Sequence, residues 1–168
     1  MTDTKMCVPV DKAVKVTVTS KDVIHSFFLP NVRMKQDAVP GMRVLIWFQV
    51  TKTTAQAKEE WKAKNSHPIS LDELATRMKS GIAINADEEV KGKDSNPIVT
   101  KDQLLIDDEG ATVKALREVG RNSLKIYPEF EFQIVCAELC GNGYYKMKGT
   151  LLVETLAGFA KWLEDNKK

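Results

Sequence analysis

The chain is expected to fold as an all-β sandwich that carries a helical insertion and a C-terminal helix. Three observations predict this. Residues 13–19, AVKVTVT, place Val14, Val16 and Val18 on one side and Lys15, Thr17 and Thr19 on the other, the period-two pattern of a half-buried strand. Residues 43–50, RVLIWFQV, form a nearly unbroken apolar run after the turn pair Pro40-Gly41, which predicts a second strand covered on both faces. Strand patterning lapses after Lys52 and returns at FEFQIVC, where Phe130, Phe132 and Ile134 alternate with Glu131 and Gln133.

The elements follow in order. A polar SKD turn leads into VIHSFFLPN, an apolar stretch ended by Pro30, with His25 on a loop between strands. TAQAKEEWKAKN reads as a short helix. SLDELATRMKSG reads as another: Ser70 and Glu73 make a capping box, Leu71, Leu74 and Met78 share a face, and Gly81 closes the helix. VKGKDSNP is a polar loop and GATVKALREVG a third short helix. Residues 52–128 are therefore a helical insertion within one domain spanning 1–168. MKGTLLVE is a strand. In the tail TLAGFAKWLEDNKK, Leu156, Phe159 and Leu163 at helical spacing are expected to pack on the sheet edge, with the lysine-rich end solvated.

Composition narrows the function. The 168 residues suit one domain, and a hydrophobic share of 43% supplies a core. Twenty-five basic against 23 acidic side chains leave +2, with the signs interspersed, so no nucleic-acid partner is expected. No run of 18 apolar residues crosses a bilayer, and MTDTKMCVPV lacks the layout of a signal peptide, so any anchor or leader lies outside this chain. There is no phosphate-binding glycine loop, no H-E-x-x-H and no C-x-x-C. His25 and His67 are the only histidines, which excludes an all-histidine metal site.

The chemistry concentrates in CAELCGNGYYKM, residues 136–147, where Cys136, Cys140 and Met147 bring soft sulfur donors onto one tight loop. Gly141 and Gly143 supply the backbone freedom such a loop needs. Thiolate and thioether donors select copper over magnesium or calcium, and imidazole complements them. His25 can provide that imidazole, because loops at one end of a sandwich converge in space. The plainer readings stay open: two buried thiols or a Cys136–Cys140 disulfide, a loop histidine at 25, a core methionine at 147. Cys7 reads as a small buried hydrophobe, His67 as a loop residue before a helix, and Trp47 and Phe48 as core aromatics.

Two segments carry a family resemblance. VTSKDVIHSFFLPNVRMKQDAVPGMRVLIWF and CAELCGNGYYKMKGTLLVE, about 50 of the 168 residues, resemble the dinuclear copper (CuA) domain of cytochrome c oxidase subunit II. The first matches V-T-S-x-D-V-I-H-S-F … K-x-D-A-[IV]-P-G; the second matches C-x-E-[LI]-C-G-x-x-H-x-x-M except at Tyr144, which stands where the family has a second histidine. The resemblance implies a cupredoxin-like Greek-key β-sandwich. Cys136 and Cys140 would bridge two copper ions, with His25 and Met147 as further ligands. Glu138 would ligate through its backbone carbonyl, its carboxylate facing a neighbouring catalytic subunit. Tyr144 is a harder donor that binds well only as phenolate, so two ions are expected and one is the alternative.

The implied role is electron entry without catalysis by the domain itself. Electrons would come from a c-type cytochrome and pass to the haem–copper catalytic subunit of a terminal oxidase, on the periplasmic or outer face of the inner membrane. A mononuclear copper-binding or storage cupredoxin is the alternative. The family's membrane hairpin and Trp-rich strand do not precede the VPV segment here, and the 52–128 insertion replaces a short family connection.

Overall fold

The structure, a computed structural model, describes residues 4–103 and 109–167. It divides into two compact units, residues 1–58 with 131–168, and residues 59–130.

The first unit begins with strands β1 (Thr4–Pro9), β2 (Ala13–Val18), β3 (His25–Leu29), β4 (Met34–Ala38) and β5 (Val44–Gln49). Helix α1 (Thr54–Asn65) leads out of it, and β11 (Gln133–Val135), β12 (Lys148–Glu154) and α4 (Leu156–Asp165) complete it. One sheet runs β1-β12-β11-β3-β4, with β1 parallel to β12 and the other pairs antiparallel. A two-stranded ribbon, β2 with β5, lies against β4. Leu29, Val8, Leu151 and Val153 are buried, so the apolar alternation of these strands supplies the core of the sheet. Strand β3 stops where Pro30, which has no N–H to give a ladder, opens a short 3-10 turn closed by Arg33 in the left-handed region.

Two expectations change here. β5 is not covered on both faces: it alternates, with Phe48 buried, while Leu45 and Trp47 face outward, Trp47 69% exposed. A ribbon of two strands has only one neighbour to pack on, so an apolar run within it still leaves a face in water. Helix α4, capped by Thr155 accepting from the Gly158 amide, packs on β1 and β12, yet Leu156 and Leu163 are exposed and Phe159 is half-buried. Cys7 is buried on β1, as expected.

In the second unit the expected helices are present, and strands run between them. After α1 come β6 (His67–Ser70), α2 (Leu71–Lys79), β7 (Ile84–Ala86), the hairpin of β8 (Val90–Lys91) and β9 (Pro97–Val99), α3 (Glu109–Glu118) and β10 (Ser123–Pro128). Strand β10 sits between β6 and β7, antiparallel to both. Leu71, Leu74 and Met78 bury one face of α2 into a core shared with Ile84, Leu116, Leu124 and Ile126. Ser70 caps this helix by accepting from the Glu73 amide at 3.2 Å, and Gly81 follows in the left-handed region. The strands are two to six residues long and only β10 alternates, with Leu124 and Ile126 buried between exposed Ser123 and Lys125, which leaves most of them hidden from a sequence reading.

At the heart of this unit Lys62 is buried, its Nζ 3.0 Å from Asp87 and 2.8 Å from Asp102, whose carboxylate also accepts from Tyr127 Oη at 2.6 Å. A charge is tolerated there because it is paired twice.

Candidate metal centre

The centre is built on β3 and on the loop between β11 and β12. Strand β11 pairs with both β12 and β3, and Val135 lies opposite Phe28, so the chain leaving Val135 arrives beside the start of β3. There the Ser26 amide donates to Cys136 Sγ at 3.4 Å. The Cys136 amide donates to the Met147 carbonyl, tying the two ends of the loop together. Within it Gly141 adopts φ +137°, which only glycine takes without strain, and nothing crowds its absent side chain. His25 is the first residue of β3 rather than a loop residue, its partner on β4 being Ala38.

One ligand atom each from His25, Cys136 and Cys140 lie within 4.8 Å of one another. His25 Nδ1 is 4.0 Å from Cys136 Sγ, Cys136 Sγ is 3.6 Å from Cys140 Sγ, and Cys140 Sγ is 3.4 Å from Met147 Sδ. All three cysteines are free thiols. The Glu138 carbonyl sits 3.7 Å from Cys136 Sγ and accepts from the Cys140 amide at 2.9 Å. The fold thus brings five of the sequence-predicted residues into one contiguous set. This donor set, three sulfurs, an imidazole and a carbonyl, fits a soft or borderline ion such as copper.

Tyr144, the sixth, opens a 3-10 turn over Tyr144–Lys146, immediately before Met147. Its amide donates to Gly141 and its carbonyl accepts from Met147, and it is exposed. His67 stands on β6 of the other unit, exposed, with Nδ1–H donating to the Asn65 carbonyl at 2.8 Å.

Electrostatics differ across the site. Hydrogen bonding to Asp22, and then to Cys136, raises the His25 pKa, while Asp22 is lowered to about 2, chiefly by the same bond to His25. Burial pushes the Cys136 thiol up, but the backbone of Glu138 and Ser26, then His25, outweigh it, and its pKa falls below the ordinary thiol value. Cys140 moves the other way, raised by burial and by its neighbour Cys136. Cys136 is therefore the readier thiolate of the pair.

Two residues that the sequence reading passed over hold this arrangement. Asp22 Oδ1 lies 2.8 Å from His25 Nε2, which leaves Nδ1 for Cys136. Lys35 Nζ bonds Glu138 Oε1 at 2.6 Å. Both are fixed positions of the quoted family patterns, Asp22 in V-T-S-x-D-V-I-H-S-F and Lys35 in K-x-D-A-[IV]-P-G, but residue type and spacing gave neither a role.

Fold and site together give a β domain that gathers a cluster of soft donor atoms. Residues 1–58 match the family described as the periplasmic domain of cytochrome c oxidase subunit II. It is 53% identical over 51 residues to cytochrome c oxidase subunit 2 of Cereibacter sphaeroides, covering 30% of this chain and 17% of that protein. Over 159 residues it is 22% identical to the alternative cytochrome c oxidase subunit 2 of Bradyrhizobium diazoefficiens, covering 95% of this chain and 30% of that protein. The chain thus spans less than a third of these relatives. Among solved structures it is similar to the periplasmic domain of cytochrome oxidase subunit II (CoxB) of Bradyrhizobium japonicum, with a TM-score of 0.49, 23% identity and coverage of 97% and 63%. It is also similar to a mixed disulfide intermediate between thioredoxin-like TlpAs and subunit II of cytochrome c oxidase, with a TM-score of 0.45, 22% identity and coverage of 97% and 61%.

Proposed function

We propose that this domain is a copper-dependent electron carrier of a terminal oxidase. It would take electrons from a c-type cytochrome and deliver them to the haem–copper catalytic subunit, in the periplasm. One observation carries this reading: the convergence of His25, Cys136 and Cys140 ligand atoms within 4.8 Å. Copper, held by His25, Cys136, Cys140 and Met147 with the Glu138 carbonyl, would supply a one-electron couple.

The chain's own residues do the rest. Asp22 orients the His25 ring, the Ser26 amide steadies the Cys136 thiolate, and the turn over Tyr144–Lys146 presents Met147. Val23 and Ile24 precede His25 and Leu139 lies between Glu138 and Cys140; all three are exposed, which suits a site that partners cover. The two thiols must be reduced before metal enters, a step that a thioredoxin-like partner would serve. We assign Tyr144 to the ligand set, in place of the family's second histidine, with two ions expected.

A second reading is a mononuclear copper-binding domain. It is favoured by the run of contacts from His25 through Cys136 and Cys140 to Met147, which is enough for one ion.

Copper quantitation with visible and electron paramagnetic spectra, on this protein and on Tyr144→His, separates them. Two ions per chain with a mixed-valence signal and near-infrared absorption support the carrier, as does rapid oxidation of a reduced c-type cytochrome. One ion without that signal supports the second reading. A chain colourless under every loading condition refutes both. If Tyr144→His changes neither stoichiometry nor spectrum, residue 144 is outside the ligand set.

A further inference from the structure

We propose that Lys35 is a positioning residue that holds the cysteine loop in its metal-ready form; this rests on the copper reading above and deepens it. The argument starts from Glu138, whose backbone carbonyl reaches both cysteines, 3.7 Å from Cys136 Sγ and 2.9 Å from the Cys140 amide. Whatever fixes residue 138 therefore sets the spacing of both sulfurs. The side chain of that residue is gripped by Lys35 Nζ at 2.6 Å.

Lys35 is well placed to do this. It lies on β4 opposite Phe28 of β3, and Phe28 lies opposite Val135 of β11, so the three form one row across the sheet. β4 is also the strand that pairs with His25. The loop that leaves Val135 returns to the far end of this row through Glu138. The ion pair thus ties the loop that bears the thiols to the strands that carry the imidazole, across 103 positions of sequence and with no metal needed. Asp37, two residues along β4, lies 3.2 Å from the same Nζ and steadies it from its own strand.

Side-chain exposures of 43% for Lys35 and 34% for Glu138 bound the effect. A pair this open to water is worth about a fivefold change in an equilibrium rather than a hundredfold. The pair tunes the site rather than forming it.

The test measures Cu(I) affinity of the reduced, metal-free chain by competition with a chromogenic chelator. It compares wild type with Lys35→Met, Lys35→Arg, Glu138→Gln and the double variant Lys35→Met/Glu138→Gln. Thermal midpoints of the same metal-free proteins are taken alongside. The expected result is about fivefold weaker binding for each neutralising variant. The double variant should be no weaker than either single, because both remove one shared interaction. Lys35→Arg should bind within twofold of wild type, and the losses should shrink in about 1 M salt, where exposed charges are screened. The thiolate-to-copper absorption band should shift in the neutralising variants and not in Lys35→Arg. Lys35→Met that lowers the thermal midpoint but binds copper like wild type shows a structural role only and overturns the proposal. So do additive losses in the double variant. A wild-type chain that takes up no copper overturns the copper reading and this proposal together; normal uptake by wild type with equal uptake by Lys35→Met overturns this proposal alone.

Discussion

Asp22 Oδ1 stands 2.8 Å from one nitrogen of His25, and the other nitrogen faces Cys136 Sγ at 4.0 Å. The carboxylate holds a proton on Nε2 and so leaves Nδ1 with its lone pair toward the thiols. Ser20 Oγ backs Asp22 at 3.1 Å, closing a small turn before β3. Asp22→Asn keeps the shape but can point an amide at the ring and free the tautomer. We expect copper affinity to drop about tenfold, the low end for lost outer partners, because Asp22 is exposed. Chelator competition measures it, and wild-type affinity in the variant would refute the tautomer argument.

Leu74 is fully buried at the centre of the 59–130 core. Leu74→Ala should lower the stability of that unit by about 3 kcal/mol, since the helix face cannot collapse onto the space left. Urea unfolding followed by far-ultraviolet circular dichroism reads it. A loss below about 1 kcal/mol would mean the core repacks.

The second unit should also lose stability in acid. Burial tends to raise the Asp87 carboxyl, but Ser66, then Lys62 and Lys125, outweigh it and the pKa falls to about 2. A group depressed in the folded state stabilises above its unfolded pKa and loses that contribution as pH falls through the folded value. The window therefore runs from about pH 4 down to about pH 2, with about 2 kcal/mol at stake. Asp87→Asn should flatten the profile across that window while lowering stability at pH 7, where Lys62 is left with Asp102 alone among these two partners. Equal slopes for variant and wild type between pH 4 and pH 2 would contradict the assignment.

Trp47 tests the face of the ribbon. At 69% exposed it packs little, so Trp47→Ser should change stability by less than about 0.5 kcal/mol. The red-shifted part of the tryptophan emission should vanish with it. Loss of stability near 3 kcal/mol would place the indole in a core after all.

Much of this was legible in advance because it rests on local patterns. Val14, Val16 and Val18 alternate whatever lies around them, and β2 forms there. Ser70 caps α2 because its hydroxyl reaches an amide three residues on. The sulfur-bearing loop with its glycines pointed to soft donors by residue type, and the family resemblance carried by DVIHSF implied His25 as their partner.

Side-chain surroundings were a different matter. Trp47 and Phe48 are adjacent and equally apolar, yet one is in water and the other is buried, because the ribbon has a neighbour on one side only. Strands β6 to β9 are two to four residues long, too short to show a period, and it is the shared core with Leu74 and Leu124 that makes them. The chain by itself determined which atoms could bind a metal. Only the pairing of β11 with β3 determined that they meet, since sheet register alone brings residues 25 and 136 within reach and sets Asp22 and Lys35 to hold them there.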